Sequence, residues 1–222
     1  MNDIHSSVEE NMSYQERTAI KTKKHFEESA EYYDESFDGK FVKPMYEHIL
    51  KRLRKEEYAR ILDVGCGTGN VLEKLINGKR KLYGVDLSEK MVEIAKERLK
   101  DNAVIEVADA KELPFEDAYF DILLCNASFH HYPQPKVVLL EMRRVLRSDG
   151  VLLIGEGYSW QPFRMFLNIY FHFSDRGDYH SYGRKELQKL CRCAGFERIT
   201  IERKGMRMFL EAKPAEKMAY EK

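Results

Sequence analysis

The residues with the clearest chemical purpose lie where short apolar runs end in glycine or in an acid. Ile61-Leu62-Asp63-Val64-Gly65-Cys66-Gly67-Thr68-Gly69 is an aliphatic run entering a turn with glycine at every second position, and a helical stretch follows it. Such a turn lets backbone approach a ligand at the carboxyl end of a strand, where open α/β sheets bind nucleotides. A dinucleotide fingerprint would need glycine at position 70, where Asn70 stands. Asp63, two residues before the first glycine, also suits a cationic amine better than a pyrophosphate. In Leu82-Tyr83-Gly84-Val85-Asp86-Leu87-Ser88 the carboxylate falls 17 residues beyond Gly69, at the end of the next apolar run, and can accept both hydroxyls of a ribose. Val107-Ala108-Asp109-Ala110 closes a third run: Asp109 can accept from an adenine amino group while the Ala110 amide donates to a ring nitrogen. Each acid alone reads as a turn residue or helix cap, but three of them ending three successive runs argue together for one ligand.

The elements that must hold these groups follow from periodicity. From Arg60 onward, β-branched and aliphatic runs alternate with amphipathic stretches, the pattern of βαβ units and a mostly parallel sheet. Strands are expected at Arg60 to Val64, Lys81 to Asp86, Val104 to Ala108, Phe120 to Asn126, Val151 to Glu156, Ile199 to Arg203 and Met208 to Lys213. Helices are expected at Asn70 to Ile76, Ser88 to Lys100, Pro135 to Leu146 and Arg184 to Ala194. Met91, Ile94, Ala95, Arg98 and Leu99 form a buried stripe behind Ser88 as N-cap, and Gly195 stops the last helix. Residues before Arg60 are rich in Glu, Lys and Tyr and fit two helices, Tyr14 to Tyr33 and Val42 to Lys55. Residues 157–183 interrupt the α/β pattern with seven aromatics between Tyr158 and Phe173. The expected organisation is a helical extension over 1–57, one domain over 58–213 with the insert 157–183 on its substrate side, and a tail over 214–222.

Composition bounds the function. With 43% hydrophobic and 33% charged residues the chain is too apolar for disorder, and no run approaches the roughly 20 residues of a membrane span. Lys plus Arg and Asp plus Glu are 37 each, so no net field attracts nucleic acid or an anionic membrane. The polar, acidic start lacks the pattern of a signal or transit peptide, which points to the cytoplasm. Cys66, Cys125, Cys191 and Cys193 show no C-x-x-C pair and no histidine at zinc spacing, so neither a disulfide framework nor a metal is expected.

Taken together, the glycine turn, Asp86, Asp109, Phe120-Asp121-Ile122-Leu123-Leu124-Cys125, Phe129-His130-His131 and Glu141-Met142-Arg143-Arg144-Val145-Leu146-Arg147 resemble the class I S-adenosylmethionine-dependent methyltransferases. The resemblance is nearest to the small-molecule branch with the ubiquinone and menaquinone C-methyltransferases, and runs from about Ala59 to Gly155. Where most relatives continue with lysine, proline and two glycines, this chain has Arg147-Ser148-Asp149-Gly150, a departure placed in a turn. The resemblance implies a Rossmann-like sheet of seven strands, mostly parallel, in the order 3-2-1-4-5-7-6, with the last strand antiparallel and helices on both faces. It implies S-adenosyl-L-methionine held by Asp63, Gly65, Cys66, Gly67, Asp86, Leu87, Asp109, Ala110 and Asn126. The cofactor carries no phosphate, so the turn needs no lysine.

Methyl transfer from a sulfonium is an in-line displacement that depends on alignment, with a base needed only where the acceptor must lose a proton. His130 and His131, after the fourth strand, are the candidate bases. Phe163, Phe166, Leu167, Tyr170 and Phe171 recur at helical spacing, as either core or a lid over the acceptor. The expected activity is methyl transfer to a small molecule, including aromatic or lipid-like ones, with no nucleic-acid or membrane partner. The alternatives are a noncatalytic cofactor-binding protein and a nicotinamide oxidoreductase, against which Asn70 counts.

Overall fold

The computed structural model describes residues 12–216. Seven strands form one sheet: β1 (Arg60–Val64), β2 (Lys81–Asp86), β3 (Ala103–Val107), β4 (Phe120–Asn126), β5 (Leu146–Gly157), β6 (Phe196–Lys204) and β7 (Arg207–Pro214). Their order is β3-β2-β1-β4-β5-β7-β6, and β7 alone runs against its neighbours. The order and the mostly parallel sense agree with the expected sheet. β1 is aliphatic along almost its whole length because Ile61, Leu62 and Val64 are all buried, as a strand covered on both faces requires.

Among the described residues seven α-helices accompany the sheet: α1 (Tyr14–Ser29), α2 (Phe37–Leu53), α3 (Asn70–Leu75), α4 (Glu89–Leu99), α5 (Pro135–Val145), α6 (Phe163–Phe173) and α7 (Arg184–Cys193). One face of the sheet packs Met45, Ile49 and Leu53 of α2 with Leu72, Val92, Ala95 and Leu99 of α3 and α4. The other packs Phe120, Phe129, Leu139 and Met142 with Leu187 and Cys191 of α7. Ser88 caps α4 as expected, accepting the Met91 amide at 3.2 Å.

The structure departs from the expected elements at several boundaries and settles one alternative left open. α1 ends at Ser29 and continues as a 3-10 turn over Ala30–Glu35. α2 starts at Phe37, five residues before the expected Val42, because Ser36 caps it by accepting the Gly39 amide at 3.1 Å. Gly39 does not break this helix: a side chain there would lie 2.2 Å from the Tyr33 carbonyl, so only glycine fits the close approach. Arg147 to Gly150 is not a turn ahead of a strand but an irregularity within β5, where the pairing of Phe120 with Leu146 steps to Ile122 with Val151. In the insert, α6 contributes no buried residue, and Phe163, Phe166 and Tyr170 are all more than half exposed, so the stripe is not core. Of the expected terminal segments, 1–11 and 217–222 lie outside the described residues, and α2 packs into the same core as the sheet.

Candidate functional site

The ends of β1, β2 and β4 and the loop after β3 open onto one cleft of about 370 Å³. All nine residues implied as cofactor contacts line it: Asp63, Gly65, Cys66, Gly67, Asp86, Leu87, Asp109, Ala110 and Asn126. The turn after β1 is anchored by the Gly65 and Cys66 amides, which donate to the Val85 carbonyl at 2.9 and 3.0 Å. The Gly67 amide donates to Asp86 at 2.9 Å and the Ser88 amide donates to the other Asp86 oxygen at 3.0 Å. Asp86 thus ties the turn to the start of α4 while keeping further lone pairs free. Gly67 has φ +52, and a side chain there would meet nothing within 4 Å. It faces open space, which is the cradle a close-lying ligand needs. Gly65 serves packing, since a side chain there would strike the Ser128 hydroxyl.

Two orphaned oxygens test whether these residues suit the implied cofactor. Asp63 Oδ1 and Asn126 Oδ1 are buried without a hydrogen-bond partner, although buried polar atoms are nearly always satisfied. Burial, with Asp86 close by, pushes the Asp63 carboxyl up to about 7. A cationic amine beside it removes that cost, and the amino-acid tail of S-adenosylmethionine brings one. At the other end, Asp109 accepts the Lys111 amide at 2.9 Å and Ala110 is buried. The donor set and the open cradle fit S-adenosylmethionine.

The cleft is roofed by residues the sequence reading did not single out. Gln15, Ala19, Ile20, Lys23 and Phe26 of α1 line it, with Tyr33 and Tyr46 below them. α1 is fixed by its polar side chains. The Glu27 carboxylate accepts the Glu89 and Lys90 amides at 2.6 and 3.3 Å, at the positive start of α4. Thr22 donates to the Gly177 carbonyl at 2.7 Å, and Lys21 pairs with Asp175 at 2.8 Å. Arg98 donates to the Thr68 carbonyl at 2.8 Å, to Asn70 at 2.7 Å and to Asp34 at 2.6 Å, joining the segment that bears Tyr33 to the glycine turn. Asn70, the residue that departs from the dinucleotide fingerprint, thereby belongs to the roof's anchor. The weak sequence signal for this arrangement was the polar, Tyr-rich run before Arg60. None of the residues lining the cleft comes from 157–183, although Gly177 and Asp178 of that insert lie against His131, which does line it.

The two histidines part company. His131 is buried and lines the cleft, its Nδ1 donating to the Gly177 carbonyl at 3.0 Å and its ring edge-on to Phe26. Burial and the neighbouring His130 pull its pKa well below the usual value, so it is neutral. His130 does not line the cleft. Its Nδ1 lies 2.8 Å from Glu156, and its Nε2 lies 3.5 Å from Asp178. Burial opposes its charge, but Glu156 and Asp178 overcome that and push it up to about 9.

Comparison with known proteins bears on the fold and the family. The Methyltransferase domain family matches residues 62–154. A demethylmenaquinone methyltransferase of Thermotoga maritima is 36% identical over 188 residues, covering 73% of this chain and 79% of that protein. A sterol 4-C-methyltransferase of Caenorhabditis elegans is 31% identical over 163 residues, covering 61% of this chain, which spans only 49% of that protein. Among solved structures, an S-adenosylmethionine-dependent methyltransferase of Thermotoga maritima shares the fold at 23% identity and a TM-score of 0.70, over 86% of this chain and 98% of that one. The chain belongs to the class I S-adenosylmethionine-dependent methyltransferases.

Proposed function

We propose that this chain transfers a methyl group to a small apolar or aromatic acceptor that enters the cleft beneath α1. The observation that carries this reading is the mixed lining of one cleft: orphaned carboxylate and amide oxygens beside an open glycine cradle, with Ile20, Phe26, Tyr33 and Tyr46 in the same walls. Bound S-adenosylmethionine supplies an electrophilic methyl for in-line displacement. We assign Asp63 and Asn126 to its amino-acid tail, Asp86 and Leu87 to the ribose, and Asp109 and Ala110 to the adenine; Gly65, Cys66 and Gly67 shape the wall between.

The residues of the chain then contribute alignment and exclusion of water. Phe26 and Tyr46 hold an apolar acceptor against the cradle, and closing α1 over it removes competing solvent. Where the acceptor must lose a proton, His131 is the group placed to take it. Its Nδ1 hydrogen is held by Gly177, so the lone pair resides on Nε2. His130, behind it, acts as a positioning residue through Glu156. The relatives named for menaquinone and sterol methylation lend weight to an acceptor with an extended apolar body. No helix among the described residues is long and apolar enough to cross a membrane, and we place the reaction in the cytoplasm, where free thiols such as Cys66 and Cys125 stay reduced.

The test is S-adenosylhomocysteine release against panels of quinols, sterols, phenols, amines and thiols. Turnover should appear with apolar ring acceptors and be lost in Phe26→Ala. Cofactor binding without turnover on any panel would favour a noncatalytic binding protein.

A further inference from the structure

The turn after β4 brings three ligand-type side chains to one point beside the cleft. His130 Nε2 lies 3.5 Å from Asp178 Oδ1, and His131 Nδ1 lies 3.8 Å from the same oxygen. The three donor atoms all fall within 4.8 Å of one another. Zinc bonds of about 2.0 to 2.1 Å in a tetrahedron place neighbouring donors about 3.4 Å apart, so the cluster needs little movement to close on an ion.

The surroundings favour a dication. Glu156 Oε2 sits 2.8 Å from His130 Nδ1, while Oε1 accepts the Phe129 and His130 amides at 2.8 and 3.3 Å. A carboxylate fixed in this way orients a histidine whose other nitrogen ligates a metal. The Glu156 and Asp178 side chains are 4% and 15% exposed, and between them stands one imidazole. Arg176 is nearby but pairs with Asp38. An ion held by the two imidazoles and Asp178 places positive charge between the two carboxylates.

We propose that His130, His131 and Asp178 form a site for a divalent transition metal of the zinc class. One coordination position is left open, and the ion ties the segment around Asp178 to the turn after β4. Binding frees the Nδ1 lone pair of His131 by moving its ring hydrogen to Nε2, and the Nε2 hydrogen of His130 leaves to solution. The Gly177 carbonyl keeps the Thr22 hydroxyl at 2.7 Å as its partner. The ring hydrogen of His131 then resides on Nε2, so the loaded site presents a donor to the cleft, and proton uptake by His131 belongs to the metal-free protein. Metal binding stands independently of the methyl-transfer reading and can fail without it.

The experiment uses the full chain without a histidine tag, stripped with EDTA and titrated with Zn²⁺ against a chromophoric chelator, with Co²⁺ absorption as a second readout. One equivalent should bind in the submicromolar range, with Co²⁺ giving the visible bands of a low-coordinate site. Asp178→Asn and His130→Gln should each lose about a hundredfold in affinity, and Glu156→Gln, which keeps every ligand, about ten- to a hundredfold. Circular dichroism identifies which variants are folded, and a folded His130→Gln suffices if Asp178→Asn is not. Absence of stoichiometric binding by the wild type overturns the proposal, as does affinity within threefold of wild type in the folded variants.

Discussion

Two helices compete for the role of roof, and their contrast is instructive. α6 carries Phe163, Phe166, Tyr170 and Phe173, yet these side chains are 53% to 79% exposed and the helix lies off the cleft. α1 reads as polar and buries only Thr18 and Ser29, yet it lines the cleft from Gln15 to Phe26. An apolar stripe reveals that a face seeks cover but not where the chain will put it. α1 is placed by polar anchors instead: Glu27 on the α4 amides, Thr22 on Gly177, and Arg98 holding Asp34 beside Thr68 and Asn70. A roof held by single hydrogen bonds and ion pairs opens at modest cost, which suits a segment that must admit an acceptor.

That contrast can be broken first at the floor of the cleft, which either roof would need. Gly67→Val puts a branched side chain at positive φ and into the cradle, and should weaken S-adenosylhomocysteine binding more than about a hundredfold by calorimetric titration. Normal binding by the folded variant would remove the glycine turn from the site.

Acidity comes next. Asp63 has its carboxyl raised to about 7 in the free protein, so below that pH it is protonated and offers the ligand amine no charge. Affinity should therefore fall as pH drops from 8 to 6, by about tenfold at one unit below the pKa, and binding near pH 7 should release a proton. The stability sign is opposite to that of a salt-bridged acid: a raised carboxyl destabilises the fold at pH above its unfolded value. Asp63→Asn should accordingly raise the melting temperature of the ligand-free protein at pH 8 while removing the pH dependence of binding. A flat affinity profile in the wild type would take Asp63 out of contact with the amine.

The two helices can then be compared directly. Phe26→Ala in α1 removes an aromatic wall worth about 1.5 to 3 kcal/mol when buried, so the acceptor KM should rise about ten- to a hundredfold. Glu27→Gln removes a carboxylate from the start of α4, worth about 0.3 to 1 kcal/mol, and should quicken cofactor release by a few fold in stopped-flow traces. Phe166→Ala in α6 should leave KM within about twofold and stability within about 0.5 kcal/mol, as exposed substitutions do. A large KM effect at Phe166 with none at Phe26 would restore the insert as the lid.

What the sequence made legible follows the same division. The glycine turn, Asp86 and Asp109 announce themselves because strand ends and turns are local patterns, readable within ten residues. The strand order came from family resemblance rather than from periodicity. The roof was not legible, because Thr22 and Gly177 meet across 155 positions and neither residue type is unusual. Gly177 is glycine because a side chain there would lie 2.3 Å from the Thr22 backbone, a reason visible only once the two segments touch. His130 and His131 stood out as a pair, yet nothing local distinguishes the one on the cleft from the one held between Glu156 and Asp178.

The central claim, a cofactor cleft floored by the glycine turn and roofed by α1, is tested most directly by amide hydrogen exchange with and without S-adenosylhomocysteine. Saturating ligand should slow exchange through residues 65–69 and along Tyr14–Ser29 while leaving Phe163–Phe173 unchanged. Protection that falls on Phe163–Phe173 and spares Tyr14–Ser29 would contradict it.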